Sequence, residues 1–401
     1  MAEPISIEEA QRLVLERVKP LGAERVPIER AFGRVLALPA AAASDLPPFP
    51  SSAMDGFAVR STDTASAPAR LAIVGQIAAG SPADRALGPG EAMSISTGGV
   101  VPTGADAVVP IEHVTQTDDA VELSTDVKPG AHVRERGGDI SAGSTVLGAG
   151  TLLGAAQVGA LAAAGVAEVQ CAKRPRAGIL VTGSELRNPG DELAPGQIYE
   201  SNGVMLAAQL TSAGAVPAQL GVVADTESEH RTTMERALLG FDMLVTTGGA
   251  SVGPHDLVRK VQGELRVEEV FWGVAMKPGR PVAFGMRRGH PVFNIPGNPV
   301  SALVCFELLV RPAVRALQGA ADPLPLYERG TLALSVSRNG ERDEFVRART
   351  EHANGDISLH PLRSQESHMI VSAAQADALV LVPRGSGELI AGSEARFIAL
   401  R

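Results

Sequence analysis

The sequence predicts a multidomain chain of the α/β plus β class. Three observations support this. The chain has 401 residues, too many for one ordinary core, which favours two to four domains. Strand and helix patterns alternate from residue 177 to about 318, which predicts a central parallel-sheet α/β domain. Short β-prone runs and Gly/Pro turns fill about 45–143 and 319–401, which predicts an inserted β-rich domain and a C-terminal β-barrel-like or sandwich domain.

The N-terminal segment is expected to begin with a helix. Ser6 followed by Glu9 is a capping-box pattern, and apolar residues recur at helical spacing up to Val18. A second helix is predicted within the uncharged stretch 152–167, which is rich in Ala and Gly. That stretch is too short and too weakly apolar to span a membrane, so we expect a tightly packed, buried helix.

Strands of the two middle domains follow from short apolar runs. Runs at 71–74, 107–111 and 121–123 predict strands of the inserted domain. Further runs at 177–182, 218–225 and 241–247 alternate with helices opened by Ser201, by Thr226 with Glu229, and near His255. Two more strands precede a long apolar helix over 299–317. This alternation predicts helices on both faces of the sheet and ligand sites at the carboxyl ends of its strands.

Composition and charge exclude several classes of protein. The net charge of −9 argues against nonspecific nucleic-acid binding, because there is no basic surplus to displace phosphate counterions. The N-terminus lacks the pattern of a signal peptide. Cys171 and Cys305 lie far apart beside apolar residues, which indicates buried free thiols in a reducing compartment. A cytoplasmic protein with no membrane or nucleic-acid partner is therefore expected.

Two glycine-rich segments each follow a predicted strand and contain an acid. They are TGSE at 182–185 and TTGGASVGPHD at 246–256. Glycine amides and a helix start suit a phosphate, while Glu185 and Asp256 suit a hydroxyl, an amine or a divalent metal. Glycine is also common in such turns for geometric reasons, so TGSE by itself does not distinguish a ligand site from an ordinary turn. Asp225, after the intervening strand, adds a third acid and favours a shared site.

Two other motifs carry charged residues on tight turns. SAMDGFAV at 52–59 surrounds Asp55 with small residues, and by itself this aspartate could equally be a turn or cap residue. MKPGRP at 276–281 and IPGNPVS at 295–301 place Lys277 and Arg280 near rigid loops. These two cations suit an anion, although a lysine on a solvated turn is the alternative.

Together these motifs resemble the molybdopterin molybdenumtransferase family, the MoeA group of bacteria, which is related to the C-terminal domain of gephyrin. SAMDGFAV, ISTGG with VPTGADAVV, RERGGDI, TGSEL, TTGGASVG with Asp256, MKPGRP and IPGNPVSA occur in the family's order. The resemblance implies a connector or dimerisation domain over 1–44 and 144–176, and an inserted domain over 45–143. It also implies a molybdopterin-binding domain over 177–318, similar to molybdopterin adenylyltransferases, and a barrel over 319–401.

The resemblance also implies the site residues. The implied catalytic residues are Asp55, Glu185, Asp225, Asp256 and Lys277, of which Glu185 and Asp256 are the candidate metal ligands. The implied substrate-binding residues are Thr97, Gly183, Gly248, Gly249, Ser251, Arg134, Arg136, Asp139, Arg280, Pro296, Asn298, Arg347 and Ser367. Many relatives carry a lysine where this chain has Gly273. We therefore expect Lys277 to carry a larger share of anion binding, and Gly273→Lys to assist it if the backbone needs no positive φ.

The implied reaction takes adenylylated molybdopterin and molybdate as substrates, with Mg²⁺ as divalent cation, and releases AMP. Family members are dimers whose cleft is shared between two chains, so a homodimer is expected. Transient contact with a molybdopterin adenylyltransferase and with molybdoenzyme apoproteins is a further expectation. Two alternatives are a molybdopterin adenylyltransferase, which needs only the α/β domain, and a non-catalytic scaffold of the same fold. The SAMDGFAV segment, the barrel and the four acids favour the transferase.

Overall fold

The structure is a computed structural model that describes residues 3–223, 226–248, 257–353 and 355–400. The N-terminal segment forms helix α1 (Ile7–Arg17), a 3-10 turn at Ile28–Arg30, and strands β1 (Ala23–Pro27) and β2 (Ala40–Ala41). The Ser6 hydroxyl accepts a hydrogen bond from the Glu9 backbone N–H at 3.1 Å, which confirms the predicted cap. The apolar face of α1 packs into the core of the α/β domain.

The inserted domain is a six-stranded sheet with a short ribbon. Its strands are β3 (Ser51–Ser52), β4 (Gly56–Val59), β5 (Ala69–Ile77), β6 (Glu91–Ile95), β7 (Ala107–Pro110), β8 (Val114–Gln116), β9 (Ala120–Leu123) and β10 (Val133–Arg134), with 3-10 turns at Ser61–Thr64 and Ile111–His113. The sheet order is β7-β4-β6-β5-β9-β8, and β3 pairs with β10. Apolar side chains cover both faces of the sheet. The predicted β-rich character is confirmed, and each predicted β-prone run lies on a strand.

The chain then returns to the N-terminal segment through β11 (Thr145–Leu147), helix α2 (Ala155–Ala163) and β12 (Glu168–Ala172). β11 pairs with β2, and β12 pairs with β1. The expectation that α2 is buried is wrong, because Leu161 is its one buried residue and its alanines are exposed. Apolar residues all round a helix normally indicate burial, but here only one side meets the rest of the chain. No helix in the described parts of the chain is long and apolar enough to cross a bilayer.

The α/β domain follows. Its strands are β13 (Arg176–Thr182), β14 (Leu186–Arg187), β15 (Ile198–Tyr199), β16 (Val216–Val223), β17 (Met243–Thr247), β18 (Glu268–Trp272), β19 (Met276–Lys277), β20 (Ala283–Arg287) and β21 (His290–Ile295). Its helices are α3 (Asn202–Ser212), α4 (Glu227–Gly240), α5 (Leu257–Glu264), α6 (Pro299–Cys305) and α7 (Arg311–Leu317), and a π-helical turn at Phe306–Val310 joins α6 to α7. Ser201 and Thr226 precede α3 and α4 as predicted, but neither side chain makes the capping hydrogen bond.

The central sheet has the order β16-β13-β17-β21-β20-β18. β16, β13, β17 and β21 are parallel as predicted, whereas β20 is antiparallel to both of its neighbours. The connection from β20 to β21 is too short for a parallel crossover, which needs about a dozen residues or more. Helices α3, α6 and α7 cover one face, and α4 and α5 cover the other. The carboxyl ends of β13, β17 and β21 therefore lie side by side.

The C-terminal domain is a closed barrel. Its elements are β22 (Glu328–Leu332), β23 (Val336–Ser337), β24 (Asp343–Ala353), β25 (Asp356–Pro361), α8 (Ile370–Ala373), β26 (Ala378–Val382), β27 (Glu388–Leu389) and β28 (Glu394–Ala399). Strands β24, β25, β22, β28 and β26 pair in that order, and β26 pairs back onto β24. This closure confirms the predicted barrel. Strand β19 of the α/β domain also pairs with β24, which joins the two domains.

Candidate functional site

The loops after β13, β17 and β21 meet at one edge of the central sheet. Gly248 has a φ of +86°, and a Cβ there would lie 2.2 Å from the Thr182 carbonyl oxygen, so this position requires glycine. A Cβ on Gly297 would lie 3.3 Å from the Cα of Gly248. The predicted positions Gly183, Gly248 and Pro296 are therefore on loops that share one crevice, as expected for the ends of parallel strands.

Asn202 connects these loops, and it was not among the residues predicted from the sequence. Its Nδ2 donates to the Thr247 hydroxyl at 3.0 Å and to the Gly297 carbonyl at 2.7 Å. The Thr247 hydroxyl donates to the Pro296 carbonyl at 3.1 Å, so it can only accept from Asn202, and this fixes the orientation of the amide. The Asn202 Oδ1 is buried without a hydrogen-bond partner, which leaves an acceptor for a ligand. An asparagine at the start of the helix after a glycine-rich segment is the sequence signal for it.

The acids predicted for this crevice are described only in part. Glu185 is exposed, and its carboxylate lies over Gly183, where a Cβ would be 2.8 Å from both oxygens. Asp225 and Asp256, together with Gly249 and Ser251, lie outside the described residues. Among the residues that are described, no group of three or more His, Cys, Asp or Glu side chains could hold a metal ion. A carboxylate such as Glu185 suits Mg²⁺ chemically, and its role as a ligand stays a prediction.

On the inserted domain, Asp55 and Thr97 are brought together. Asp55 lies on the turn between β3 and β4, and its Oδ1 accepts a hydrogen bond from the Thr97 backbone N–H at 2.6 Å. Both residues are exposed. No hydrogen bond or ion pair among the described residues links Asp55 to the crevice of the α/β domain. The described residues of the two predicted halves therefore make no hydrogen bond or ion pair with each other within one chain.

The predicted basic loop lies at the base of the inserted domain. Arg136 Nε lies 2.5 Å from Asp45 Oδ2. The pKa of Asp45 is lowered, first by the hydrogen bond from the Ala142 backbone N–H and then by Arg136. Arg134 is exposed on β10, and the Asp139 N–H donates to the Leu46 carbonyl. Asp45 thus compensates Arg136, whereas Arg134 has no ion pair within the residues that the structure describes.

A cavity of ≈ 450 Å³ lies between the α/β domain and the barrel. It is lined by the predicted residues Lys277, Arg280, Pro296, Asn298 and Ser367. Asn298 Nδ2 donates to the Ser367 hydroxyl at 2.9 Å, and the Val300 N–H donates to the Ser367 carbonyl at 3.0 Å. These bonds fix the barrel loop against the start of α6. The structure therefore gathers five of the predicted residues from three separate segments into one cavity.

The lining of this cavity is basic. Arg342 and Arg363, two residues that sequence reasoning missed, add to Lys277 and Arg280. Among the described residues that line the cavity, Glu366 is the one acid. Lys277 Nζ lies 2.9 Å from Glu344 Oε1, so part of its charge is compensated. The guanidinium groups of the three arginines have no ion pair within the described part of the chain. Such a cavity attracts an anion.

Sequence-family models cover nearly the whole chain. The MoeA N-terminal region (domain I and II) matches residues 5–165, a probable molybdopterin binding domain matches 178–316, and the MoeA C-terminal region (domain IV) matches 329–400. A molybdopterin molybdenumtransferase 2 of Mycobacterium tuberculosis is 38% identical, over 97% of this chain and 98% of that relative. The chain belongs to the MoeA family.

Other MoeA relatives agree with this assignment. The molybdopterin molybdenumtransferase of Bacillus subtilis is 33% identical, over 99% of this chain and 94% of that relative. The solved structure of the molybdopterin biosynthesis MoeA protein from Pyrococcus horikoshii has a TM-score of 0.87 at 30% identity, and it covers 99% of this chain and 100% of that chain. The resemblance inferred from the motifs is confirmed.

In this MoeA chain, Arg347 lies behind the wall of the cavity. It is 1% exposed, and its guanidinium donates to the carbonyls of Ser364 at 2.8 Å, Met369 at 3.0 Å and Glu366 at 3.2 Å. Burial lowers the pKa of this guanidinium. These bonds hold the loop that carries Ser367. The structure thus gives Arg347 a role in shaping the loop, and its direct contact with an anion stays a prediction.

Gly273 has a φ of +86°. Gly273→Lys is therefore not expected to assist anion binding, because a residue with a Cβ strains the backbone at a positive φ. We expect Gly273→Ala to lower the free energy of unfolding by ~1–2 kcal/mol. Gly263 in α5 has open space around a built Cβ, so Gly263→Ala is expected to stabilise by about 0.5–1 kcal/mol. Denaturant titration tests both variants, and equal midpoints would contradict the argument.

The two thiols do not contribute a nucleophile. Cys171 and Cys305 are both free and buried, as predicted. Burial raises the pKa of each thiol, so neither is poised to form a thiolate.

Proposed function

We propose that this MoeA chain transfers molybdenum from molybdate to adenylylated molybdopterin, with release of AMP. The observation that carries the proposal is the basic cavity around Lys277 and Arg280, beside a glycine-lined crevice in the region matched by the molybdopterin-binding model. Molybdate is a dianion and needs cations, whereas the phosphates of an adenylylated substrate need amide donors. Relatives with molybdopterin molybdenumtransferase names support the same reaction.

In this proposal the crevice binds the adenylylated substrate and the cavity binds the oxyanion. The backbone amides around Gly183 and Gly248 receive the phosphate charge, and the free Oδ1 of Asn202 accepts a hydrogen bond from a substrate donor. Lys277, Arg280 and the Ser367 hydroxyl receive the oxyanion. Mg²⁺, held by Glu185 and Asp256, supplies electrostatic polarisation of the pterin–AMP link when bound.

Purified protein incubated with adenylylated molybdopterin, Mg²⁺ and molybdate tests the proposal. We expect molybdate-dependent release of AMP together with cofactor that activates a molybdoenzyme apoprotein. A parallel reaction with molybdopterin and ATP distinguishes the adenylyltransferase alternative, which would consume ATP instead. A protein inactive in both reactions would favour the scaffold alternative.

A homodimer is part of the same proposal. The connector exposes several apolar side chains, with Phe32 at 71%, Leu38 at 54% and Leu152 at 57% exposure. An isolated bridge joins Val35 to Leu152, and the alanines of the following helix α2 are exposed as well. Exposed apolar surface of this kind is typical of an interface. A second copy of the chain would cover it and would bring an Asp55 turn to the other chain's crevice.

Mixed dimers test the shared cleft. Asp55→Ala and Asp256→Ala chains are each expected to be inactive, because every cleft in either homodimer lacks one acid. Mixed dimers are expected to regain up to half of the wild-type AMP release, since one of the two clefts combines intact halves. Two affinity tags isolate the mixed species, and the separate homodimers serve as controls. A confirmed mixed dimer without activity would contradict the shared cleft.

The cytoplasmic location belongs to this proposal, because two free buried thiols suit a reducing compartment. Transient contact with a molybdopterin adenylyltransferase and with molybdoenzyme apoproteins also belongs to it. Such contacts would pass substrate and product on without release into solution. Neither nucleic acid nor membrane is included among the partners.

A further inference from the structure

We propose that a groove between α7 and the barrel binds the carboxyl-terminal end of another polypeptide, whose terminal carboxylate pairs with Arg315. The groove has a volume of ≈ 530 Å³ and is bordered by helices α3 and α7, the segment 325–328 and the end of strand β28. It shares none of its described lining residues with the basic cavity around Lys277. The inference is therefore independent of the proposed transfer reaction.

Apolar side chains form the walls of this groove. Leu303 on α6 faces Ile398 and Leu400 at the end of the barrel, and alanines of α8 and of the residues after it complete the lining. Leu326, which also lines the groove, is 77% exposed. A groove that leaves apolar side chains in contact with water is typical of a site that another molecule covers.

One ion pair inside the groove is already complete. The Arg311 Nε lies 2.5 Å from Glu307 Oε2, and the Arg311 Nη2 lies 2.9 Å from Glu307 Oε1. The Gln209 side chain donates to the same Oε1 at 2.8 Å, and the Arg311 Nη2 also donates to the Ser212 hydroxyl at 3.1 Å. These contacts neutralise Glu307, so its carboxylate offers little repulsion to an acidic ligand.

Arg315 lies one helical turn beyond Arg311 and makes no ion pair within the described part of the chain. It is partly buried, and its Nη1 donates to the Leu324 carbonyl at 3.4 Å, which leaves most of its donors for a ligand. Burial lowers the pKa of this guanidinium, and the charge of Arg311 lowers it further. A carboxylate that pairs with Arg315 therefore relieves an uncompensated charge at a site where water is partly excluded.

The shape of the groove near Arg315 favours the end of a chain over a continuous segment. Arg315 lies in the last turn of α7, and the chain returns over that turn, because the Leu324 carbonyl bonds to Arg315 and Pro325 lines the same groove. A terminal carboxylate offers two oxygens to adjacent guanidinium donors, and the apolar residues before it would lie against the walls. Arginine is also enriched among the residues that contribute most to binding between proteins.

Fluorescence anisotropy with three pools of labelled peptides tests this inference. The first pool has a free carboxyl end and last three positions randomised among Ala, Val, Leu and Ile. The second has the same positions but an amidated end, and the third is amidated and ends in Glu. We expect the free-acid pool to bind at least about tenfold more tightly than either amidated pool, because a hydrogen bond to a charged group is lost in the second and misplaced in the third.

The outcomes of this comparison are distinct. Equal binding of the free-acid and amidated apolar pools, or no binding of any pool, would overturn the inference. A pool ending in Glu that binds as tightly as the free acids would show that an acidic side chain suffices, which contradicts the assignment to a chain end.

Variants of the chain locate the site. Arg315→Gln is expected to weaken binding of the free-acid pool at least about tenfold, and Leu326→Ser at least about threefold. The matched control is Arg287→Gln, because Arg287 is also partly buried and donates to a backbone carbonyl, that of Leu265 at 2.9 Å, but does not line the groove. This control is expected to bind like wild type.

Two further results guard against a change in folding. If Arg315→Gln unfolds at a lower temperature than wild type, Arg315→Lys keeps the charge and is expected to recover part of the affinity, while Leu326→Ser changes an exposed residue only. An Arg315→Gln variant that binds the free-acid pool like Arg287→Gln would overturn the role of Arg315. Self-association of the wild type that Arg315→Gln abolishes, without binding of any pool, would identify a second copy of the chain as the occupant and overturn the inference.

Discussion

Asp256→Asn is expected to abolish cofactor formation while leaving the fold intact. Asp256 closes the TTGG segment and lies directly before α5, whose first residue is Leu257. The substitution removes the negative charge proposed to hold the metal ion, and groups that act at the reacting centre contribute at least about 100-fold in rate. A ligand-site acid contributes little to stability, so the melting temperature should stay close to that of wild type.

The measurement is AMP release at saturating molybdate and Mg²⁺, with the melting temperature recorded in parallel. Asp242→Asn is the matched control, because Asp242 directly precedes β17, whereas Asp256 comes after that strand in the sequence. The Asp242 Oδ2 accepts a hydrogen bond from the Arg176 backbone N–H at 2.8 Å. This control is expected to lose some stability and keep its activity. Near-wild-type AMP release by Asp256→Asn would remove Asp256 from the catalytic residues.

Arg347→Met is expected to lower the free energy of unfolding by at least about 3 kcal/mol. The side chain is 1% exposed, and methionine would fill its volume without replacing any donor. The carbonyls of Ser364, Glu366 and Met369 would each lose a hydrogen bond inside the protein. Each carbonyl keeps a second donor, so what is lost is three hydrogen bonds to a charged guanidinium. A hydrogen bond to a charged group is worth about 1.5–3 kcal/mol, so three such losses outweigh the gain of an apolar side chain.

Chemical denaturation of Arg347→Met and Arg349→Met measures this effect. Arg349 lies two residues further along β24 and is exposed, so its replacement is expected to change stability by no more than about 0.5 kcal/mol. Limited proteolysis should also cut Arg347→Met first within 363–369, the loop that Arg347 holds. Coincident unfolding curves for the two variants would show that the carbonyl bonds do not stabilise this loop.

Much of the fold could be predicted because it is set by local patterns. The cap at Ser6, the strands of the α/β domain and the apolar helix 299–317 each follow from residues close together in the sequence. The error at α2 has a clear reason. Its Ala-rich sequence predicts that the helix packs against other apolar surface. It does not show whether that surface belongs to the same chain or to another chain.

For the candidate site, the sequence predicted which residues take part more readily than which residues contact each other. Asp55 with Thr97, and Lys277 with Asn298, came from motifs, and Ser367 came from the family resemblance. The structure brings Asp55 to Thr97, and it brings Lys277, Asn298 and Ser367 to one cavity. Arg342 was missed because nothing beside it in the sequence marks it, and Asn202 was missed because an asparagine at the start of a helix is a weak signal by itself. Their relevance depends on which donors and acceptors remain unpaired after folding, which only the completed hydrogen-bond network decides.

The sequence by itself determined the family, the order of the domains, the acids and the glycine loops, because each is a property of short segments and their spacing. Tertiary structure alone decided that β20 is antiparallel, that β19 joins the barrel, and that Glu344 forms an ion pair with Lys277. Those outcomes depend on pairing between residues far apart in the chain. Such pairing is favourable only when the apolar faces are buried in the right register and the polar groups find partners in the folded core. Residues close together in the sequence do not specify that arrangement.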